Sequence, residues 1–570
     1  MPTELDRRMD AGIARLTAPD GPLAVTMVER DGRMLPMIAT APPALSHYFA
    51  HFCAEHAEAT FLVAGDERLT FAAVYDQAKA VAAALIAGFG VAKGDRIGIA
   101  MRNSPSWIAL YMGVTMAGGV ATLLNGWWTP EELADAIGDV ECGLVFADGP
   151  RAERLAQAAG VACRVVAIDD RPALAEALAP VTSQRGSGAA ALPLLGGEDD
   201  ATILFTSGST GQCKGALSDH RGVLQGVFNY LAQALVMLGI ATENGTPPEG
   251  QPATLLNVPL FHVTAEIPVM LQSFAMGRKL VLMPKWDAEE AMRLIEAEQV
   301  SYFVGVPLMS YEILTHPNRH KYDLSRVTDF AAGGAPRPVE HVRRIKEEMG
   351  GGAPLIGYGL TETNAVGCGN WRENYLAKPE STGRASRPLV ELAIVDGAGK
   401  AMAQGARGEV AIRSICNFKR YWNRPDATEA AFTADGFFLT GDIGYLDEDG
   451  YLFIVDRKKD IIIRGGENIS CQEVEAAIYR HPAVAECCVF GLPDPRYGEV
   501  PGAVVHYRAG ETLATEQLCA FLGEHIAAFK LPARVWVSAE PLPRLGTEKI
   551  DKVSLRARYR EMAVSDGGCG

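Results

Sequence analysis

The chain has 570 residues, too many for a single hydrophobic core, so we expect at least two domains. Its hydrophobic content of 48% with 21% charged residues is ordinary for a soluble globular enzyme. Lysine and arginine total 53 against 69 aspartate and glutamate, and the resulting net charge of -16 argues against nucleic-acid binding. The 11 cysteines show no metal-ligand spacing, and no signal peptide is visible, so we expect reduced thiols in a cytoplasmic location.

The elements predicted before residue 200 are short strands that alternate with helices. The first forty residues show no motif and predict a loosely packed arm. Residues 96–100 and 144–147 are typical of buried strands, and Thr129-Pro130-Glu131-Glu132 has the residue types of a helix start. The most apolar window, 109–124, contains three glycines and is shorter than the roughly 20 residues of a membrane span, so we expect no transmembrane segment. The alternation predicts a mainly parallel α/β sheet.

Residues 201–215 place an apolar run before a loop rich in hydroxyl groups and glycine. Residues 223–231 then show helical spacing, so we expect this loop to join a strand to a helix. Such a loop can direct backbone N–H groups, hydroxyls and the Lys214 ammonium towards a polyanion, which predicts a nucleoside triphosphate. It is not a P-loop, because Cys213 stands where that motif needs glycine and Gly215 where it needs Ser or Thr. The candidate phosphate-binding residues are Thr206, Ser207, Gly208, Ser209, Thr210, Gly211 and Lys214.

This loop and three later motifs resemble those of the adenylate-forming superfamily, which includes acyl-CoA synthetases (AMP-dependent CoA ligases), luciferases and peptide-synthetase adenylation domains. Its phosphate loop usually has proline where this chain has Cys213. The later matches are Tyr358-Gly359-Leu360-Thr361-Glu362, Leu439-Thr440-Gly441-Asp442, and the segment 542–552 around Lys549. The family usually has glycine just before that lysine, where this chain has Glu548. The resemblance covers nearly the whole chain.

The resemblance implies a role for each matched residue. Tyr358 and the small-residue turn at 331–336 would pack against adenine, and Asp442 with Arg457 would bind ribose. Glu362 would hold Mg²⁺, which prefers oxygen ligands, and Lys549 would bridge the acid and the α-phosphate. The implied catalytic residues are Lys549, Glu362, Thr206 and Lys214. The implied nucleotide- and coenzyme-binding residues outside the phosphate loop are Gly333, Gly334, Ala335, Tyr358, Gly359, Thr361, Glu362, Asp442, Arg457, Gly465 and Gly466.

The resemblance also implies the domain organisation. The fold class would be α/β, with a large N-terminal domain of mainly parallel sheets and helices plus a β-rich subdomain at 1–456. A hinge at 457–460, centred on Lys459, would lead into a small mobile α+β domain at 461–570. Rotation about the hinge would withdraw Lys549 and present Gly465 and Gly466 to the pantetheine arm of coenzyme A.

The implied activity is ligation of a carboxylic acid to coenzyme A, with release of AMP and pyrophosphate. ATP, Mg²⁺ and coenzyme A are the expected cofactors, and the expected partners are these small molecules, with a homodimer left open. The apolar pocket candidates favour a hydrophobic, fatty-acid-like acid. An aryl acid, transfer to a carrier protein and a nucleotide-binding pseudoenzyme stay open as alternatives. The pocket candidates are Phe261, His262, Val263, Met270 and Gly359, together with Leu308 and Met309.

Overall fold

The computed structural model describes residues 2–184, 190–206, 213–464, 467–545 and 549–566. Its internal contacts divide the chain into two compact units. The first consists of residues 1–392 and 412–438, and the second of residues 393–411 and 439–570. The α/β class is confirmed. The hinge at 457–460, and the domain boundaries drawn from it, stay predictions.

Most helices belong to the first unit and pack on the faces of its sheets. Several begin at the residue types that favour a helix start: Thr129, for example, forms a reciprocal capping box with Glu132. The α-helices are α1 (Glu4–Leu16), α2 (Leu45–Glu55), α3 (Phe71–Ala87), α4 (Pro105–Met116), α5 (Pro130–Asp139), α6 (Gly149–Gln157), α7 (Leu174–Ala177), α8 (Ala179–Thr182), α9 (His220–Glu243), α10 (Gln272–Ala275), α11 (Ala288–Ala297), α12 (Pro307–Thr315), α13 (Val339–Glu348), α14 (Arg372–Ala377), α15 (Pro425–Ala430), α16 (Cys471–Tyr479), α17 (Thr515–Gly523) and α18 (Lys552–Asp566).

The strands are short and mostly buried, as expected for sheets covered by helices on their faces. They are β1 (Val25–Arg30), β2 (Arg33–Ile38), β3 (Thr60–Ala64), β4 (Glu67–Thr70), β5 (Arg96–Ala100), β6 (Val120–Leu123), β7 (Leu144–Asp148), β8 (Arg164–Ile168), β9 (Asp200–Thr206), β10 (Lys214–Asp219), β11 (Ala253–Leu256), β12 (Lys279–Leu282), β13 (Tyr302–Gly305), β14 (Asp329–Gly333), β15 (Ala353–Tyr358), β16 (Cys368–Trp371), β17 (Arg384–Ala385), β18 (Glu391–Val395), β19 (Gly408–Arg413), β20 (Arg420–Tyr421), β21 (Phe438–Leu446), β22 (Leu452–Arg457), β23 (Ile462–Arg464), β24 (Glu467–Ile469), β25 (Val484–Asp494), β26 (Gly498–Tyr507) and β27 (Arg534–Ser538).

Two large sheets organise the first unit. One has the order β20-β10-β9-β6-β5-β7-β8, with β9, β6, β5, β7 and β8 parallel. The other has the order β17-β16-β15-β14-β13-β11-β12-β3-β4, with a parallel centre from β15 to β3. Ligands of parallel α/β sheets bind beyond the carboxyl ends of the strands. The predicted residues Thr206, Gly333 and Tyr358 each end one of these strands.

Two expectations about local structure are wrong. The phosphate loop does not join a strand to a helix, because residues 214–219 form β10, which pairs antiparallel with β9 and places Thr206 opposite Lys214. The loop therefore joins the two strands of a hairpin, and α9 begins only at His220. The first forty residues are not a loose arm: they form α1 and the hairpin β1–β2, and Arg384 pairs with Asp6 and Asp10 of α1.

One helix of the described chain, α9, is long and apolar enough to cross a membrane by length and composition. Its most apolar window is 67% buried within the protein. The core helix of a folded domain has the same properties, so this helix is weak evidence for a membrane span.

The second unit contains the C-terminal α+β structure. Strands β24, β23, β26 and β25 form a sheet in that order, with β27 parallel to β26. Helices α16 and α18 pack against β25. The unit also contains the hairpin β21–β22, which turns at Asp449-Gly450, a residue pair typical of tight hairpin turns.

Candidate functional site

In the first unit, the candidate site forms where strands of the two large sheets end. Glu362 lies in a short 3₁₀ turn (Thr361–Thr363) after β15, and its carboxylate accepts a hydrogen bond from the Tyr421 hydroxyl at 2.7 Å. Tyr421 belongs to β20, which pairs with β10 directly after the phosphate loop. The Lys214 ammonium lies over the Tyr421 ring, 4.8 Å from its centre. Lys214, Tyr421 and Glu362 therefore form one cluster.

Burial and the neighbouring Glu362 carboxylate raise the pKa of the Tyr421 hydroxyl well above its usual range. Tyr421 therefore stays protonated and donates to Glu362, while its ring face attracts the Lys214 cation. The motif analysis did not identify Tyr421. No local signal marks it, because its contact with Glu362 joins residues 59 positions apart.

The residues predicted to contact adenine lie at the ends of two neighbouring strands. Gly333 of β14 is paired with Gly357 of β15, and Tyr358 is the last residue of β15. A Cβ on Gly333 would meet only the Gly357 carbonyl, at 3.5 Å, so the space beside this residue is open. The turn predicted at 331–336 is shorter than expected, since its first residues belong to β14.

Gly359 is required by close backbone packing. A Cβ at this position would lie 1.9 Å from the Ala365 carbonyl oxygen, which is too close for two non-bonded atoms. Glycine has no Cβ and therefore fits. Ala365 and the preceding Asn364 both have positive φ angles, of 64° and 48°. The Asn364 side chain holds this turn by donating to the Ser218 hydroxyl and the Cys416 carbonyl.

The structure divides the acyl-pocket candidates between two hydrophobic cores. Phe261, Val263 and Met270 belong to one core, and Met309 belongs to the other with Leu308 packed against it. Met270 is fully buried, and Phe261 meets the exposed ring of Trp127 edge to face at 5.1 Å. Half-buried His262 accepts a hydrogen bond at Nδ1 from the Thr264 N–H at 3.2 Å.

In the second unit, Asp442 and Arg457 lie opposite each other on β21 and β22. The Arg457 guanidinium contacts the Asp442 carboxylate at 2.6 Å, and Asp442 is almost completely buried. Half-buried Lys549 is close enough to both groups for their charges to act on its ammonium. Burial of its ammonium and repulsion by Arg457 lower its pKa to about 8, although Asp442 opposes this shift. The ribose-binding candidates and the candidate catalytic lysine therefore lie together.

A partly buried ion pair anchors the segment that follows Lys549. The Lys552 ammonium contacts both carboxylate oxygens of Glu475 in α16, at 2.7 and 2.8 Å. Glu475 also accepts the Val489 N–H of β25. The Lys549 carbonyl accepts a hydrogen bond from the Leu545 N–H at 2.8 Å. The start of α18, three residues after Lys549, is thus fixed to the helix and sheet of the second unit.

Several predicted residues lie outside the described residues. These are Ser207, Gly208, Ser209, Thr210 and Gly211 of the phosphate loop, the pair Gly465 and Gly466, and Glu548. Cys213, at the end of the loop, is half-buried.

The fit to Mg²⁺ rests on the Glu362 carboxylate. The carboxylate is nearly buried, and the Tyr421 hydroxyl fixes the orientation of one oxygen. No cluster of three or more His, Cys, Asp or Glu side chains suited to a metal occurs in the described part of the chain. A single carboxylate together with substrate phosphates is a usual Mg²⁺ environment, so the residues present fit the ion.

Two family models match the sequence. The model described as "AMP-binding enzyme" matches residues 49–422, and its C-terminal domain model matches residues 473–549. The first match covers more than half of the chain.

Curated relatives match over most of their length. A long-chain-fatty-acid–CoA ligase, FadD13 of Mycobacterium tuberculosis, is 34% identical over 87% of this chain and 94% of its own. A feruloyl-CoA synthase of Amycolatopsis is 33% identical over 88% of this chain and 96% of its own. Among solved structures, ATP-bound MatB of Rhodopseudomonas palustris superposes with a TM-score of 0.79 and 28% identity, over 91% of this chain and 99% of that one.

Proposed function

Because the chain belongs to the AMP-binding enzyme family and is an AMP-forming acid–CoA ligase, we propose that it acts on a hydrophobic, fatty-acid-like carboxylic acid. The observation that carries this proposal is the apolar cluster of Phe261, Val263 and Met270 beside His262. Long-chain-fatty-acid–CoA ligases of two bacterial species are among the relatives, at 32% and 34% identity.

The proposed reaction has two halves. In the first, a carboxylate oxygen of the acid attacks the α-phosphorus of ATP, and the bond to pyrophosphate breaks. In the second, the thiol of coenzyme A loses its proton to solvent, its sulfur attacks the acyl carbon, and the bond to AMP breaks. Both reactants of the first half are anions, so positioning and charge neutralisation lower its barrier.

Each predicted residue has a task in this proposal. Lys549 would contact the carboxylate and the α-phosphate, and Lys214 with Thr206 would contact the departing pyrophosphate. Glu362, held by Tyr421, would bind Mg²⁺, which supplies positive charge for the phosphates. Asp442 would accept both ribose hydroxyls. After adenylation the predicted C-terminal domain, residues 461–570, would turn about the hinge at Lys459, so that Gly465 and Gly466 meet coenzyme A.

An aryl acid is the second candidate, favoured by the feruloyl-CoA synthase relative and by the aromatic pair of Trp127 and Phe261. The test is thioester formation from a panel of saturated fatty acids of increasing length, cinnamates and benzoates, with AMP and acyl-CoA measured together. We expect kcat/KM to be about tenfold higher for the best fatty acid than for any aryl acid, as contacts of several methylenes would give. A cinnamate or benzoate that exceeds every fatty acid would replace the proposal with the aryl alternative.

A further inference from the structure

Glu266 is a fully buried carboxyl group with only half of its hydrogen-bonding capacity used. Its Oε1 accepts a hydrogen bond from the Tyr111 hydroxyl at 2.7 Å. Its Oε2 is shielded from solvent and has no hydrogen-bond partner among the described residues. Buried polar groups are normally paired, and leaving one unpaired opposes folding. This carboxyl group therefore needs an explanation outside the stability of the fold.

The surroundings of Glu266 offer no compensating charge. No Lys, Arg or His of the described chain forms an ion pair with it, and Tyr111 is a neutral donor. Burial raises the pKa of Glu266 to about 7, and the hydrogen bond from Tyr111 only partly opposes this shift. A leucine here would avoid the free-energy cost of burying a carboxyl group, so Glu266 stabilises the core less than an apolar side chain would.

Glu266 lies directly beside the predicted acyl pocket. Its backbone N–H donates to the carbonyl of His262 at 3.1 Å. It is the second residue of a π-helical segment, Ala265–Leu271, that is interrupted by Pro268. Short π-helical segments are rare and frequently occur at functional sites. The predicted pocket wall at Phe261–Val263 thus leads within one turn to this carboxyl group.

A second unpaired polar atom flanks the same tyrosine. Trp107 of α4 stacks on Tyr111, with ring centres 5.5 Å apart. The Trp107 Nε1 donor is buried and has no hydrogen-bond partner in the described chain. Tyr111 therefore has a carboxylate acceptor at its hydroxyl and an indole donor against its ring.

We propose that Glu266 and Trp107 recognise a hydroxyl group on the hydrophobic body of the acid. A hydroxyl group can donate a hydrogen bond to a carboxylate oxygen and accept one from an indole N–H, which are the two kinds of hydrogen bond that these atoms lack. The inference rests on the proposed function and narrows its substrate class to hydroxylated fatty-acid-like acids. A site built to bind a hydroxyl discriminates against the analogue that lacks it, because its own polar atoms are then left unpaired.

The test compares thioester formation from fatty acids that carry one hydroxyl, moved along the chain, with formation from the unsubstituted parent. In the unaltered protein we expect one positional isomer to exceed its parent in kcat/KM by about tenfold or more. Glu266→Leu should bring this ratio close to one, mainly by lowering kcat/KM for the hydroxy acid. Glu266→Gln, which keeps a carbonyl acceptor, should retain part of the preference. Trp107→Phe, which keeps the stacked ring, should lose part of it.

Tyr48→Phe is the matched control. The Tyr48 hydroxyl donates to the Leu271 carbonyl at the end of the same π-helical segment and does not contact Glu266. If loosening of the segment alone changed selectivity, this variant would change the ratio too, and that result would overturn the proposal. Ratios near one for every isomer in the unaltered protein, or a preference unchanged by Glu266→Leu, would also overturn it.

The glutamine variant and thermal melting keep the test decisive if Glu266→Leu does not fold. If Glu266→Gln folds, and if neither Glu266→Gln nor Trp107→Phe changes the preference for the hydroxy acid, the inference is contradicted. If parent fatty acids form thioesters while no hydroxyl preference exists, only this inference fails. If no acid of either series forms AMP, the proposed function fails with it.

Discussion

Lys549 carries a positive charge that its surroundings oppose. Burial and the Arg457 guanidinium lower its pKa to about 8, against an ordinary value of 10.5. The charged form therefore predominates at neutral pH and is lost as the pH rises through about 8. This positive charge would attract both the carboxylate of the acid and the α-phosphate of ATP.

We predict that kcat/KM for adenylation falls above pH 8, because only about a tenth of Lys549 is protonated one unit above its pKa. The measurement is the pH profile of acid-dependent AMP formation. Lys549→Arg should move the alkaline limb upwards, since a guanidinium stays charged, and Lys549→Ala should lose adenylation. Exposed Lys400, on a turn of the same unit, gives the control Lys400→Ala. An identical alkaline limb in Lys549→Arg would show that another group titrates.

Tyr421 links the two ends of the site in the first unit. Its hydroxyl orients Glu362, and its ring lies under Lys214. We predict that Tyr421→Phe lowers kcat/KM for MgATP by about tenfold, corresponding to about 1.4 kcal/mol, because Glu362 loses its donor.

The matched control for this prediction is Tyr445→Phe, which removes a hydroxyl from a tyrosine stacked on Phe453 in the second unit. Tyr421→Leu should reduce kcat/KM further, since Lys214 also loses its aromatic contact. Equal kcat/KM values for MgATP in Tyr421→Phe and the unaltered protein would remove Tyr421 from the site.

At the scale of elements, the phosphate hairpin shows what could be predicted from the sequence. The apolar run at 203–205 correctly indicated a strand. The six residues after the loop, 214–219, show no clear alternation of apolar and polar side chains, and a helix follows them directly. Periodicity therefore could not separate β10 from α9. Pairing with β9 and β20 decides their structure. Motifs such as Tyr358–Glu362 could be recognised from the sequence, because their residues are adjacent in the chain.

Gly359 allows a prediction about the turn after β15. Gly359→Ala should destabilise the protein by about 3 kcal/mol and impair adenylation, because a Cβ would overlap the Ala365 carbonyl at 1.9 Å. Urea unfolding measures the change. The control for stability is Gly357→Ala, two residues earlier and within β15, where a Cβ would meet nothing within 4 Å. Similar midpoints for both variants would contradict this steric account.

At the scale of the whole molecule, the family and the α/β class could be predicted because the motifs occur in order along nearly the whole chain. The family models and the relatives confirm both. The acid could not be predicted, because the residues proposed to contact it, such as Trp127 and Phe261, lie far apart in the sequence and form no contiguous motif. Relatives of similar identity carry names with different acids.

The proposed reaction requires that an acyl-adenylate forms before coenzyme A reacts. Acid-dependent exchange of labelled pyrophosphate into ATP, measured without coenzyme A, tests this directly. We predict exchange that requires a fatty-acid-like acid and Mg²⁺, is abolished in Lys549→Ala, and gives way to thioester formation when coenzyme A is added. Thioester formation that proceeds without any exchange in the absence of coenzyme A, or with ADP and phosphate as products, would contradict the account.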